Sequence, residues 1–437
     1  MKSIVALIGR PNVGKSTIFN KITHTKAAIV DNFPGVTRDR IFGSAIWNDR
    51  EFTLVDTGGF VENDQDKLSK QIRLQLDIAI EEADVIVVVF DAKYGLSPFD
   101  KDIVKIVKKI NKPVFYMINK VDSNKDENSS SEFYNLGIEK FYTVSGEHGY
   151  GIYDFLDDLV DALPEDELLE SSNPNMIKLA VIGKPNVGKS SIVNQMLGKN
   201  RLIVTDVAGT TRDAIDSICT SHGREYLLID TAGIRRKSKV SKKIEKFSII
   251  KAFKALERCD IALIVIDAND GITDQDIKIA GYAYEQGCGC IILLNKWDIV
   301  NESKKKELIN KVKFDAKFLS FAPILSISAL TGHRMPQLFK LVERVFNQYT
   351  KRMETSSVNK IVEEAVKKNE PSLVRGRRIK IYYTTQVSIK PPTFVFFANY
   401  PEAIHFSYER YLINQIRKDA GLGNTPIKLI FRNRKKE

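Results

Sequence analysis

Four short motifs occur twice in this chain, in the same order. GRPNVGKS at Gly9–Ser16 returns as GKPNVGKS at Gly183–Ser190, and PGVTRD at Pro34–Asp39 returns as AGTTRD at Ala208–Asp213. LVDTGG at Leu54–Gly59 returns as LIDTAG at Leu228–Gly233, and NKVD at Asn119–Asp122 returns as NKWD at Asn295–Asp298. The first, third and fourth motifs are offset by 174, 174 and 176 residues. A period that long excludes a solenoid of short repeats and means two tandem copies of one domain.

Each copy alternates short apolar runs with amphipathic stretches. IVALIG, FTLVDT, VIVVVFDA and VFYMIN in the first copy match KLAVIG, EYLLID, IALIVIDA and CIILLN in the second. Runs of this kind read as central strands of a parallel sheet, buried on both faces. Segments such as KLSKQIRLQLDIAIEEA read as crossover helices. The expected fold class is α/β: two tandem doubly wound, mostly parallel sheets, followed by a small α+β domain. The boundaries expected are 1–163, an acidic linker at 164–176, 177–349, and 350–437. The last segment reads α-β-β-α-β: helix NKIVEEAVKKN, strands RRIKIYYTTQVSI and TFVFFANY, helix SYERYLINQIRKDAG, stopped by Gly421 and Gly423, and strand KLIFR.

Charge separates that last segment from the rest. The net formal charge is +11 over 437 residues, yet residues 351–437 hold 18 Lys and Arg against 8 Asp and Glu. A basic terminal domain points to an anionic partner, nucleic acid before membrane because no amphipathic anchor is evident. Apolar runs such as Val85–Phe90 fall far short of the ~20 residues a membrane span needs, and the N-terminus reads as a first strand, not a signal peptide. The four cysteines lack zinc spacing. Cys288-Gly-Cys290 admits a metal or redox pair, but reduced thiols entering a buried strand are the plainer reading. A cytoplasmic location is the expectation.

The repeated motifs carry phosphate chemistry. A strand, GxxxxGKS and a helix make a phosphate loop: glycines let backbone N–H groups converge on an anion at the helix start. The loop residues are Gly9, Arg10, Pro11, Asn12, Val13, Gly14, Lys15 and Ser16 in one copy. In the other they are Gly183, Lys184, Pro185, Asn186, Val187, Gly188, Lys189 and Ser190. Lys15 and Lys189 would reach the β- and γ-phosphates, and Ser16 and Ser190 would hold Mg²⁺. Asp56 and Asp230, at strand ends, would face the Mg²⁺ shell. Thr57, Gly58, Gly59 and Phe60, with Thr231, Ala232, Gly233 and Ile234, continue that motif; Gly59 and Gly233 can offer an N–H to the γ-phosphate. Thr37 and Thr211, on the loops between, could close over Mg²⁺ when the γ-phosphate is present.

The base side follows from hydrogen-bond complementarity. A carboxylate at Asp122 or Asp298 accepts from both the N1–H and the amine of guanine, which adenine cannot offer. Asn119 and Asn295 would brace that loop. The stems of Lys120 and Lys296 would pack on the base, and Val121 and Trp297 complete the motif. Ser145-Gly146 and Ser328-Ala329 could each present a backbone N–H to the guanine oxygen. GTP or GDP with Mg²⁺ is therefore the expected ligand.

An absence matters too. In small GTPases of the Ras type a Gln after DTxG orients the attacking water. Here that place holds Phe60 and Ile234, whose apolar side chains cannot. Each site needs a cation, a conformational change or a partner residue instead, and slow unaided turnover is expected. Arg38, Arg212, Arg235 and Arg236 are nearby cations. The stretch RRKSKVSKKIEKFSIIKAFK after DTAG has nine basic residues and one acidic, Glu245; it reads either as an RNA- or partner-facing switch or as a solvated helix face.

On these motifs the chain resembles the Der (EngA) family of bacterial ribosome-assembly GTPases along essentially its whole length. The resemblance implies two G domains, a C-terminal KH-like domain, and GTP hydrolysis that switches association with the large ribosomal subunit and its rRNA. The PN pair in each phosphate loop is similar to the Era/TrmE-like group, which implies K⁺ held by Asn12 and Asn186. Two features depart from the family pattern: Ser145-Gly146 replaces Ser-Ala, and no GxxG clamp for nucleotides is present. An RNA contact would therefore use another surface, and Arg375, Arg377, Arg378 and Lys380 are the candidate patch. Two other readings stay open on sequence: an RNA-binding scaffold in which one G domain holds nucleotide statically, and a P-loop kinase or transferase.

Overall fold

The structure is a computed structural model. It describes residues 2–23, 42–57, 80, 83–122, 132–164, 176–198, 216–231, 249–373 and 377–433. The chain divides into two compact units, one holding the first repeat and the other the second repeat with the C-terminal domain.

The first repeat runs β1 (Ser3–Ile8), α1 (Lys15–Thr23), β2 (Phe42–Trp47), β3 (Arg50–Asp56), β4 (Val85–Asp91), α2 (Pro98–Val107), β5 (Val114–Asn119), β6 (Tyr142–Val144) and α3 (Ile152–Asp161). Its sheet has the order β2-β3-β1-β4-β5-β6. All pairings are parallel except β2 with β3. The second repeat runs β7 (Ile177–Gly183), α4 (Lys189–Gly198), β8 (Ser217–Ser221), β9 (Arg224–Ile229), α5 (Ile249–Arg258), β10 (Ile261–Asp267), α6 (Asp274–Glu285), β11 (Gly289–Asn295), α7 (Glu302–Asp315), β12 (Ile324–Ser326) and α8 (Met335–Tyr349). Its sheet order, β12-β11-β10-β7-β9-β8, is that of the first read from the other end.

The eight apolar runs form β1, β3, β4, β5, β7, β9, β10 and β11. In the second repeat, alternate strand residues feed two cores, as the two-residue period of a strand requires. Leu179, Val181, Leu263 and Val265 face α4 and α8, while Ala180, Ile182, Ile264 and Ile266 face α5, α6 and α7. The antiparallel edge strands β2 and β8 were not anticipated. β8, SICTS, is too polar to stand out, and β2, FGSAIW, has its apolar residues broken by Gly43 and Ser44; each is set by a tight turn, Asn48-Asp49 or His222-Gly223, with positive φ at both positions. The expected crossover helix at 67–83 lies outside the described residues apart from Ile80 and Ala83.

The C-terminal domain runs α9 (Thr355–Lys368), β13 (Ile381–Ile389), β14 (Pro392–Ala398), α10 (Phe406–Asp419) and β15 (Lys428–Asn433), in the expected α-β-β-α-β order. Phe394 and Phe396 of β14 pack under Val358 and Val362 of α9 and Leu412 and Ile416 of α10. Gly421, with φ of 67°, ends α10; Gly423 has no such conformation. The domain is joined to the second repeat by Lys390 Nζ on Asp260 (2.8 Å) and the Asn424 N–H on Gln348 Oε1 (2.6 Å). All four cysteines are free; burial pushes the Cys219 thiol up to about 12 and raises Cys259 and Cys290 well above the ordinary value. Among the described residues no helix is long and apolar enough to cross a membrane.

Candidate nucleotide sites

Each phosphate loop joins the end of the first strand of its repeat to the helix that begins at the motif lysine. Its shape demands glycine. Gly14 and Gly188 have φ of 92° and 95°, and a Cβ on either would lie 2.2 Å from the side-chain nitrogen of Asn119 or Asn295. Asn12 and Asn186 also sit at positive φ, 66° and 63°, a region Asn tolerates better than most residues. Lys15 Nζ donates to the carbonyls of Gly9 (2.9 Å) and Arg10 (2.8 Å). Lys189 Nζ does the same with Gly183 (3.0 Å) and Lys184. Both ammonium groups thus lie across the loop they would fill with phosphate. Burial pulls Lys15 below its ordinary pKa, with Asp56 acting in opposition.

On the magnesium side, Ser16 Oγ donates to Asp56 Oδ2. Two hard oxygens at a helix start suit Mg²⁺, which takes one or two protein oxygens and completes its shell with water and phosphate. Among the described residues no group of three or more His, Cys, Asp or Glu could cage a metal. Thr57 Oγ1 donates to Leu7 O (2.8 Å). Thr37, Gly58, Gly59, Phe60, Thr211, Ala232, Gly233 and Ile234 lie outside the described residues, as do Arg38, Arg212, Arg235 and Arg236.

The base side is tied to the phosphate loop by one residue in each copy. Asn119 Nδ2 donates to Val13 O (2.9 Å) and its Oδ1 accepts from the Gly146 N–H (2.9 Å). Asn295 repeats both bonds with Val187 O (2.8 Å) and the Ala329 N–H (3.0 Å). This braces the loop as expected. It also engages one N–H of each pair read above as facing the guanine oxygen, that of Gly146 or Ala329: buried donors need a partner, and here the Asn side chain provides it. Val121 N–H donates to Val144 O (3.1 Å) and Trp297 N–H to Ile327 O (3.1 Å), which pins each motif to its last strand. Asp122 is exposed, accepts from Ser145 Oγ (2.9 Å), and meets Lys93 Nζ at 3.1 Å. Lys93 first, then Ser145, hold its carboxyl below the ordinary range. Asp298 is exposed on the short turn Trp297–Ile299.

Four aspartates of the sites went unnoticed in the sequence. Asp91 and Asp267, the last residues of β4 and β10, bind Lys120 (2.6 Å) and Lys296 (2.5 Å) and so hold the lysine stems. Asp100 and Asp276, in the first turns of α2 and α6, bind the second loop residue, Arg10 (3.7 Å) or Lys184 (3.2 Å). The signal was available: 91 to 267 and 100 to 276 are both 176 residues, the same offset as Asn119 to Asn295. The candidate RNA patch is exposed where it is described. Arg377 donates to Tyr400 Oη (3.1 Å), Arg378 lies 3.6 Å from Glu370, Lys380 is exposed, and Arg375 lies outside the described residues.

Residues 4–120 and 178–296 match a family described as 50S ribosome-binding GTPase, and residues 352–432 match the KH-domain-like C-terminal domain of EngA bacterial GTPase enzymes. The chain is 52% identical to the GTPase Der of Desulforapulum autotrophicum over 99% of this chain and 90% of that one. It is 48% identical to the GTPase Der of Geobacter sp. (strain M21) over 100% of both. Among solved structures, Era in complex with MgGDPNP and nucleotides 1506-1542 of 16S ribosomal RNA is 23% identical, with a TM-score of 0.31, over 55% of this chain and 83% of that one.

Proposed function

The chain belongs to the Der family of GTPases and hydrolyses GTP, and from that premise we propose that its two sites form a switch governing association with the large ribosomal subunit or its precursor. The observation that carries the two-site part is the pair of Asn bridges, Asn119 and Asn295, which join phosphate loop to base loop identically in both copies. The ribosomal part is supported by the basic C-terminal domain and by the family description. We take the domains as 1–163, 177–349 and 350–437 with a linker at 164–176, the location as cytoplasmic, and rRNA, met through Arg375, Arg377, Arg378 and Lys380, as the nucleic-acid partner. An activating protein is a further candidate partner.

Lys15 and Lys189 exchange their loop carbonyls for β- and γ-phosphate oxygens, a swap that leaves the ammonium paired throughout. Ser16 with Asp56, and Ser190 with Asp230, would hold Mg²⁺ together with Thr37 and Thr211, and the ion would supply positive charge to the phosphates. Asn12 and Asn186 are the K⁺ ligands we assign, in the place of a missing cationic finger. Asp122 and Asp298 read guanine. Catalysis is positioning and electrostatics, with water as nucleophile and no protein base.

The test is co-sedimentation with purified ribosomal subunits, with the protein loaded with GDP or a non-hydrolysable GTP analogue at two salt concentrations. Salt-sensitive binding to the large subunit only with the analogue is the expected result. Equal binding in both nucleotide states, or none, removes the switch from the ribosome. Lys15→Ala and Lys189→Ala, singly and together, assign the response to a site; normal hydrolysis by the double variant would overturn the phosphate-loop assignment.

A further inference from the structure

The second site contains a support that the first does not share in sequence. Asp216, one residue before β8, accepts the N–H of Asp230 on Oδ1 (3.0 Å). Arg258, the last residue of α5, holds the same carboxylate: Nη2 binds Oδ2, and Nη1 lies 3.4 Å from Oδ1. Both side chains are largely buried, 14% exposed for Arg258 and 13% for Asp216. Next to them Ser217 Oγ and Thr231 Oγ1 lie 2.6 Å apart, both fully buried. Asp230 itself has φ of 55°, a conformation an L residue rarely adopts without being held.

Strand register identifies the counterparts. Ser217 pairs with Leu228 as Gly43 pairs with Leu54, so Asp216 corresponds to Phe42. Ile261 pairs with Leu179 as Val85 pairs with Val5, so Arg258 corresponds to Glu82. A phenyl ring can neither accept the N–H nor carry the charge, and a glutamate would repel the carboxylate it replaces the partner of. The acid and its cation are both exchanged, as expected if they work as a unit.

We propose that Asp216, fixed by Arg258, is a positioning residue for Asp230, setting the backbone from which that carboxylate faces the nucleotide-bound magnesium of the second site alone. The inference rests on the assignment of Asp230 to Mg²⁺. It couples the strand that follows the Thr211 motif to the helix in which the basic stretch ends, through one buried carboxylate.

The experiment measures release of a fluorescent GDP analogue from the full chain against Mg²⁺ concentration, so its readout is binding and not turnover. The second site is isolated with Lys15→Ala and the first with Lys189→Ala. Asp216→Ala is expected to raise the Mg²⁺ concentration for half-maximal retention about tenfold at the second site, the usual scale for loss of a group that orients a metal ligand. Release in chelator, and the first site in its own background, stay unchanged. Arg258→Lys, which keeps the charge but loses the fork, gives a smaller shift and serves if Asp216→Ala does not fold. Asp230→Asn separates the two assignments. If it changes the Mg²⁺ dependence while Asp216→Ala and Arg258→Lys do not, the positioning role is overturned. If Asp230→Asn changes nothing, the magnesium assignment itself fails. An equal shift at both sites would mean a general structural effect and would also overturn the proposal.

Discussion

Set side by side, the two repeats agree along the GxxxxGKS and NKxD motifs. Lys15 and Lys189 lie on the same pair of loop carbonyls, Asn119 and Asn295 make the same two bonds, and Asp91 and Asp267 hold the same lysine. They part at the DTxG motif. In the first repeat Thr57 leans on the carbonyl of β1, whereas in the second Thr231 leans on Ser217 of the edge strand and Asp230 on Asp216. The shared contacts mostly end on backbone, which leaves one workable geometry for a phosphate cradle. The divergent ones run between side chains, where paired substitutions such as Phe42 for Asp216 and Glu82 for Arg258 can tune one copy without the other. The same phosphate-loop and NKxD contacts thus coexist with different side-chain partners at the DTxG motif.

The largest expected effect probes the shared half. Asp122→Asn and Asp298→Asn each replace one acceptor with a donor. Guanine presents two donors there and xanthine a donor and a carbonyl. Each variant is expected to lose GTP preference by roughly 10³–10⁴-fold at its own site and to gain XTP binding, read by competition between the two nucleotides with the other site silenced. If either substitution altered both sites alike, the copies would not be independent, and the comparison would break.

A smaller effect tests whether the bridges are equivalent. Asn119→Ala and Asn295→Ala each strip a partner from a buried carbonyl and a buried N–H. The cost is about 2–4 kcal/mol, a fall in Tm on the order of 4–16 °C for a unit of this size. Scanning calorimetry should show only the transition of the altered unit moving. Unequal costs would place a difference between the copies in the shared half as well.

How much of this was legible beforehand follows the same division. The central strands were plain because burial on both faces demands unbroken apolar runs such as VIVVVF. Strands β2 and β8 were hidden, since one face of an edge strand tolerates polar residues and only the turns Asn48-Asp49 and His222-Gly223 mark them. Lys15, Asn119 and Asp122 stand out in the sequence because the nucleotide chemistry proposed for them fixes both residue type and spacing. Asp91 and Asp100 do not, because they act on other protein groups, and their partners are set by the fold; the recurrence at Asp267 and Asp276 was the trace they left. The gift of the Gly146 and Ala329 N–H groups to Asn side chains was likewise invisible, since backbone groups carry no sequence signature. The patch of Arg377, Arg378 and Lys380 was read from charge alone, and charge does not say that Tyr400 and Glu370 stand beside two of its members.

The smallest expected effect sharpens the comparison at its other end, since the second repeat alone shares its unit with the basic domain. Lys390 binds Asp260 at 2.8 Å and lies 5.0 Å from the ring centre of Phe346. Its side chain is 39% exposed, while that of Asp260 is 10% exposed and also accepts the Lys178 N–H at 2.9 Å. A half-exposed ion pair contributes little, so Lys390→Ala should cost about 0.5–1 kcal/mol, and less at high salt. Asp260→Asn should cost more, because the carboxylate serves β7 as well as the joint. Denaturant unfolding of both variants at low and high salt reads the difference. A salt-independent loss on Lys390→Ala would mean that the lysine acts through its stem against Phe346. The joint would then be an apolar contact with a charged rim, and the C-terminal domain would stay attached to the second repeat at high salt.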